Sequence, residues 1–195
     1  MKVLFVSLFV VIIDQVSKLM VKGLSIPFIK LNIQGLERWQ KIPVLGGIFN
    51  ITLVENPGIA FGIDLGSNFK LMVSVFTLVA SMGLLYYIFR NKEKKFGFRL
   101  SLALILGGAV GNLIDRIFYG ILYDYAPLFH GRVVDFLDFR IFNLFIFNRT
   151  FGNYVFNFAD VSVTAGVILL LFILNKQKIT GDNFNSNLEK ALSEK

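Results

Sequence analysis

From Leu71 to Phe89 the chain carries no charged residue. Wound as an α-helix at about 1.5 Å per residue, that run is roughly 28 Å long, close to the hydrocarbon thickness of a bilayer. A helix also satisfies every backbone polar group within its own segment, which the bilayer interior demands. With one span placed, the hydropathy pattern assigns the others, giving four at about 3–22, 69–89, 99–118 and 155–175. The composition agrees: 55% hydrophobic residues, 22 Phe and a mean hydropathy of +0.66 exceed what a soluble core of this size requires. The first span follows Lys2 in the manner of a secretory leader, but Asp14, Gln15 and Lys18 stand where a small-residue cleavage site would belong.

Orientation follows from the connection between the second and third spans. Residues 90–99 hold Arg90, Lys92, Lys94, Lys95 and Arg99 against the single acid Glu93, which places this loop in the cytoplasm. Four spans then put both termini in the cytoplasm, consistent with Lys2, Lys176 and Lys178. Residues 24–67 and 119–154 fall outside, and 176–195 read as a loosely ordered polar cytoplasmic tail. Within the external segments, Gly47–Asn56 and Arg132–Arg140 are β-branched and aromatic with partial alternation, the pattern of strands. Phe139, Phe142, Phe145, Phe147, Phe151, Tyr154 and Phe156 place aromatic side chains at the outer interface. The expected fold is therefore an all-α membrane protein of four transmembrane helices with a small external β-rich layer, residues 1–175 forming one domain.

The residue inventory narrows the chemistry. There is no cysteine, and His130 is the one histidine, so thiol nucleophiles, disulfides, multi-His metal sites and His-centred triads are excluded within one chain. The net charge of +7 is distributed as membrane topology requires and does not point to nucleic acid. Carboxylates, lysines and hydroxyls remain.

Intramembrane polar residues converge on one level. Asn112, Asp115 and Arg116 lie in the outer part of the outward-running third helix, Asn157 and Asp160 in the outer part of the inward-running fourth, and Asp14 and Lys18 in the outer half of the first. Asp14 and Lys18, at i,i+4, read as a self-neutralising structural pair. For Asn112, Asp115 and Arg116, helix pairing and substrate contact stay open alternatives. Asp160 is the only charge between Thr150 and Asn175 and has no cation within four residues. A membrane-buried aspartate costs on the order of 3 kcal/mol, so its partner has to come from elsewhere in the fold. Asp135, in the apolar run "RVVDFLDF", is the candidate, with Asp138 and Asp124 as competing carboxylates. Asp138 reads as solvated or paired with Arg140, and Asp124 as an ordinary turn residue.

Two carboxylates held close in a partly desolvated site couple their titrations and share a proton near neutral pH. One then acts as base toward water and the other as acid toward a leaving nitrogen, the chemistry of aspartic peptidases. Amides such as Asn112 and Asn157 and the guanidinium of Arg116 suit the holding of a peptide backbone. A proton- or cation-coupled transporter also uses intramembrane aspartates, but its path places polar groups through the midplane and inner half as well. A serine–lysine peptidase is disfavoured because Ser17 and Lys18 are sequence neighbours and face different ways on a helix. A non-catalytic scaffold would tolerate Asp-to-Asn changes.

Five segments in order carry a family resemblance: "DQVSK" (Asp14 to Lys18), "ENPGIAFG" (Glu55 to Gly62), "GGAVGNLIDR" (Gly107 to Arg116), "RVVDF" (Arg132 to Phe136) and "FNFADVSV" (Phe156 to Val163). On a four-span profile, and over most of residues 10–175, the chain resembles the bacterial lipoprotein signal peptidases (signal peptidase II). The resemblance implies that Asp135 and Asp160 form a catalytic dyad. It further implies that Asn56, Gly58, Asn112, Arg116 and Asn157 line or support the substrate site, with Asp14, Lys18 and Asp115 as supporting polar residues. The implied substrate is a prolipoprotein with a diacylglyceryl-modified cysteine, cut just before that cysteine. The implied setting is the bacterial inner membrane, in contact with membrane lipid and with the site toward the outer face. Globomycin-type inhibitors are implied, and no metal or organic cofactor. One departure from the family pattern is "ILYDYAPLFHG" (Ile121 to Gly131), which reads as a loop insertion on the outer face.

Overall fold

The computed structural model describes residues 2–46, 48–57, 66–146 and 149–193; at 29, 141–146, 149–153 and 177–193 it describes the backbone alone. Four helices dominate: α1 (Val3–Lys22), α2 (Ser67–Arg90), α3 (Phe96–Ile114) and α4 (Phe158–Ser193). α3 continues through a π turn (Asp115–Tyr119) and a last short turn, Gly120–Leu122. All four contain stretches long and apolar enough to cross a membrane. Their outward faces are apolar, with Phe5, Phe76 and Phe172 among the most exposed side chains, as expected where lipid is the solvent.

Since lipid removes the hydrophobic drive between helices, close packing and interhelical hydrogen bonds must hold the bundle. α3 is its centre, meeting α1, α2 and α4. Val3, Ile88, Leu102, Ala103 and Leu106 form one buried cluster between α1, α2 and α3. Ser7 Oγ donates to the Ala103 carbonyl at 2.7 Å, and Ser162 Oγ donates to that of Leu104 at 2.9 Å, joining α1 and α4 to α3. Nearer the sheet the backbones approach further. A methyl group at Gly108 would collide with the Ala159 carbonyl oxygen, and one at Gly111 would lie 2.6 Å from Asp14 Oδ2. Gly108→Ala is therefore expected to destabilise the protein by about 2 kcal/mol, an overpacking effect. A melting temperature in detergent lowered by about 4–8 °C would report it, and an unchanged one would show that α3 and α4 have room to separate.

The non-helical segments form two antiparallel sheets. β1 (Leu24–Ile26) and β2 (Leu31–Ile33) make a small hairpin around a turn of 3₁₀ helix, Pro27–Ile29. β3 (Lys41–Leu45), β4 (Phe49–Asn56), β5 (Val133–Ile146) and β6 (Arg149–Phe156) pair in that order. Val133 to Asp138 are buried at every position, so this first part of β5 is covered on both faces, which explains why its sequence alternates only in part. Its neighbours Leu53, Tyr119, Val134, Phe136 and Leu137 make the second buried cluster, under the sheet. Phe139 does not stand free: its ring stacks between Phe49 at 4.5 Å and Phe156 at 5.5 Å.

The insertion is a loop beyond Leu122, and it is tied down: Phe129 N–H and Gly131 N–H donate to the carbonyls of Ile117 and Arg116, and Ser74 Oγ of α2 donates to the Phe129 carbonyl at 2.8 Å. It thereby walls a cavity of about 390 Å³ with Ser67, Lys70, Tyr125, His130 and Arg132 in its lining. The polar segment after residue 175 continues α4, whose backbone is helical to Ser193. No proline interrupts it there, and Leu188, Glu189, Lys190, Ala191 and Leu192 are strong helix formers.

Candidate active site

The site forms where β6 turns into α4. Asn157 sits at that junction, and its Oδ1 accepts the backbone N–H of Asp160 at 3.0 Å, while Asp160 Oδ2 accepts the backbone N–H of Asn157 at 3.2 Å. These reciprocal bonds are a capping box, which satisfies two orphan donors of the first turn and pins the Asp160 carboxylate. An anion there also complements the helix macrodipole. The second carboxylate oxygen, Oδ1, accepts Asn112 Nδ2 of α3 at 2.8 Å.

Asp135 arrives from the sheet. Its strand register sets it opposite Val54, and Asn56 opposite Val133. Asn56 Nδ2 donates to Asp135 Oδ2 at 3.2 Å and Asn157 Nδ2 to Asp135 Oδ1 at 2.7 Å. Asn157 thus touches both aspartates, one by its side chain and one by its backbone. Asp135 is 4% exposed. Burial, and next to it the negative charge of Asp160, raise its pKa to about 7 against the opposing effects of Asn56, Lys18 and Asn157.

Behind these residues lies a buried ionic cluster. Lys18 Nζ bonds Asp14 Oδ2 and Asp115 Oδ2, each at 2.8 Å, and Asn112 Oδ1 at 2.9 Å, with none of the three charged side chains exposed. Asp14 and Lys18 are therefore not a closed local pair, as their spacing suggests; the lysine ties α1 to α3. Asp14 Oδ1 also accepts the Ala159 N–H of α4 at 2.9 Å. Asp115 Oδ2 accepts the Val134 N–H of β5 at 3.1 Å. Asp115 faces this cluster while Arg116, its sequence neighbour and so turned to another side of the helix, faces the carboxylates. Arg116 feels the charges of Asp115, Asp160 and Asp135 and donates NH1 to the Asn112 carbonyl at 3.3 Å. Its buried Nε has no hydrogen-bond partner among the described residues.

Ten residues stand out in the sequence as site candidates, and the structure brings nine together: Asp14, Lys18, Asn56, Asn112, Asp115, Arg116, Asp135, Asn157 and Asp160. Gly58 lies outside the described residues. Asp138 is not solvated but is paired with Arg140, the second of its two expected settings. It is 2% exposed and accepts Thr52 Oγ1 at 2.9 Å, with Arg140 Nη2 further off at 3.5 Å. Asp124 is an exposed turn residue with φ of 53°, and His130 Nδ1 lies 2.7 Å from the Leu128 carbonyl oxygen, away from the carboxylates.

Two features went unread. Gln15 Nε2 donates to Asp115 Oδ1 at 2.8 Å and its Oε1 accepts Tyr119 Oη at 3.2 Å. An amide inside an apolar helix beside Asp14 was the available signal. Glu55 is held by Lys22 and by Arg132, the latter at 3.1 Å. Burial works to raise the Glu55 pKa, but the two cations outweigh it and hold the carboxyl below its ordinary value. This clamp joins the end of α1 to the β4–β5 pair next to Asn56.

The chain is similar to known proteins over nearly its whole length. The sequence pattern of the family described as Signal peptidase (SPase) II matches residues 6–176. The lipoprotein signal peptidase of Moorella thermoacetica is 40% identical, over 89% of this chain and 93% of that protein. That of Halothermothrix orenii is 36% identical, over 92% of this chain and 99% of that protein. Among solved structures, a bacterial membrane enzyme determined by the in meso method at 2.3 Å resolution superposes with a TM-score of 0.64. It is 29% identical, and the match covers 91% of this chain and 89% of that one. A second such structure, at 1.9 Å resolution, gives 0.65 at 28% identity, over 89% and 92% of the two chains. A multi-pass membrane chain with a polar site at the sheet end of its bundle, matched to one family across residues 6–176, belongs to the signal peptidase II family.

Proposed function

We propose that this protein is an aspartic membrane peptidase that removes the signal peptide of diacylglyceryl-modified prolipoproteins just before the lipid-modified cysteine, with Asp135 and Asp160 as its dyad. The observation that carries the reading is Asn157, which bonds Asp135 Oδ1 through its side chain and Asp160 Oδ2 through its backbone, and so holds two carboxylates of a bundle and a sheet at one point. A water bound between them loses its proton to the ionised aspartate as its oxygen attacks the scissile carbonyl. The protonated aspartate then gives its proton to the leaving nitrogen, and the first aspartate keeps the proton taken from water. Arg116, with its free Nε, suits a substrate carbonyl, and needs neither metal nor cofactor.

Residues 1–175 form the peptidase domain in this reading, and residues 176–195 a polar cytoplasmic extension. In this reading both termini lie in the cytoplasm of a bacterial inner membrane and the dyad faces its outer side, a topology supported by the clustered cations at 90–99. The signal helix reaches the dyad laterally while the diacylglyceryl chains stay in the outer leaflet, and a globomycin-type cyclic peptide competes for the same place.

Purified protein in detergent, given a synthetic diacylglyceryl-cysteine prolipoprotein peptide, is expected to release a fragment ending at the residue before that cysteine, as read by mass spectrometry. Intact peptide after prolonged incubation would sink the proposal. Because the raised pKa of Asp135 means a proton held up to about pH 7, kcat is expected to fall as pH rises from 7 to 9. A kcat flat across that range would take the acid's role from Asp135.

A further inference from the structure

Lys18 touches neither carboxylate of the dyad, yet it decides which way a neighbouring amide points. Its ammonium has three N–H donors and no acceptor, and all three are engaged by Asp14 Oδ2, Asp115 Oδ2 and Asn112 Oδ1, at 2.8, 2.8 and 2.9 Å. Only an oxygen of Asn112 can face such a donor. Asn157 Nδ2, 3.1 Å from the same Oδ1, demands the same orientation. The amide nitrogen is thereby turned toward Asp160 Oδ1 at 2.8 Å. With the amide reversed, two donors would meet at Lys18 and two acceptors at Asp160, in a site with no water-exposed surface on Lys18.

We infer that Lys18 is a positioning residue, which fixes the amide sense of Asn112 and so keeps an N–H donor aimed at Asp160, the base of the dyad. The inference rests on the dyad reading above. Asp160 is also the carboxylate at a helix N-terminus, and it is less buried than Asp135. The groups around it agree. Asn112 and Arg116 face it from α3, Asp135 faces it from β5, and the α1 and α3 charges Asp14, Lys18 and Asp115 lie one amide behind. The raised pKa of Asp135 is consistent with the shared proton residing there.

Removing Lys18 alone would leave two buried aspartates uncompensated, so the test is Lys18→Met/Asp14→Asn. It keeps the cluster's formal charge at −1, as in the native set of two acids and one base, and leaves an oxygen to accept the Ala159 N–H. It is compared with Asp14→Asn, which retains the ammonium. Relative to wild type, whose cluster charge the double variant shares, and to that single variant, kcat is expected to fall on the order of 30-fold with KM within about twofold, as for loss of an orienting partner. A double variant with the kcat of the single one overturns the inference.

If the double variant does not fold, the native chain decides. In protein labelled with ¹⁵N-asparagine in detergent micelles, the Asn112 side-chain amide, assigned by its loss in Asn112→Asp, should shift as the dyad titrates and stand still in Asp160→Asn. A native signal that ignores the titration overturns the inference as well. The dyad reading fails separately, through cleavage that survives in Asp160→Asn and Asp135→Asn.

Discussion

Asp160→Asn and Asp135→Asn are each expected to leave the protein folded and to lower cleavage by on the order of 10³-fold or more, the combined loss of a base or acid and of the shared proton. The choice of asparagine matters, because Asp160 has two roles. Its Oδ2 closes the capping box on the Asn157 N–H, and an asparagine oxygen can still do so. Asp160→Ala would open the box at a cost of about 1 kcal/mol and confuse a loss of helix start with a loss of chemistry. At Asp135, asparagine removes the charge from a buried position but sets an amide NH2 where Asn56 Nδ2 and Asn157 Nδ2 both donate, so the loss of stability relative to wild type should be smaller above pH 7 than below it. The sign follows from linkage. A carboxyl whose folded pKa is raised to about 7 favours the folded state only while protonated, and that advantage drains away between its unfolded value near 4 and pH 7. Folded asparagine variants that cleave at the wild-type rate would make the two aspartates structural.

Asn157→Ser is the second large effect, and it separates stability from rate. Serine is as good an N-cap as asparagine, so the start of α4 should hold and the melting temperature should change by only a few degrees. Its hydroxyl is too short, though, to replace Nδ2, which lies 2.7 Å from Asp135 Oδ1 and 3.1 Å from Asn112 Oδ1. Loss of a donor aimed at a reacting carboxylate is worth on the order of 10²-fold in kcat. Asn157→Ala loses cap and donor together and should be both slower and less stable. Equal kcat for wild type and Asn157→Ser would mean that the side chain serves the helix alone.

The spans and the polar level were legible because a bilayer leaves a chain little choice: uncharged runs of its thickness must be helices, and charges inside them stand out. Asp160 and Asn157 could be placed on one helical face from their spacing. What the spacing could not carry was the third dimension. Asp14 and Lys18 look self-sufficient at i,i+4, and only the approach of α3, allowed by Gly108 and Gly111, gives Lys18 its other two acceptors. The π turn that continues α3 over Asp115–Tyr119 has no sequence signal of the kind a proline or glycine provides. β6 and the β1–β2 hairpin escaped because their residues were read as interface or connection, and β5 showed only half an alternation since both faces of its first part are covered.

The ionic partners in the finished structure differ from those each helix carries on its own. Taken alone, α1 carries Asp14 with Lys18 one turn on, and the continuation of α3 carries Asp115 beside Arg116 on a different side, so each carries no net charge at this level although only the first pair can close on itself. α4 brings Asp160 alone, but in its first turn, near the water boundary. Once the bundle closes, Lys18 takes Asp115 as a second partner and Arg116 turns toward Asp160 and Asp135. The charges that balance α1 and α3 one by one are thus the same that join the bundle, and a substitution that unbalances either helix is expected to lower the yield of inserted protein as well as its activity.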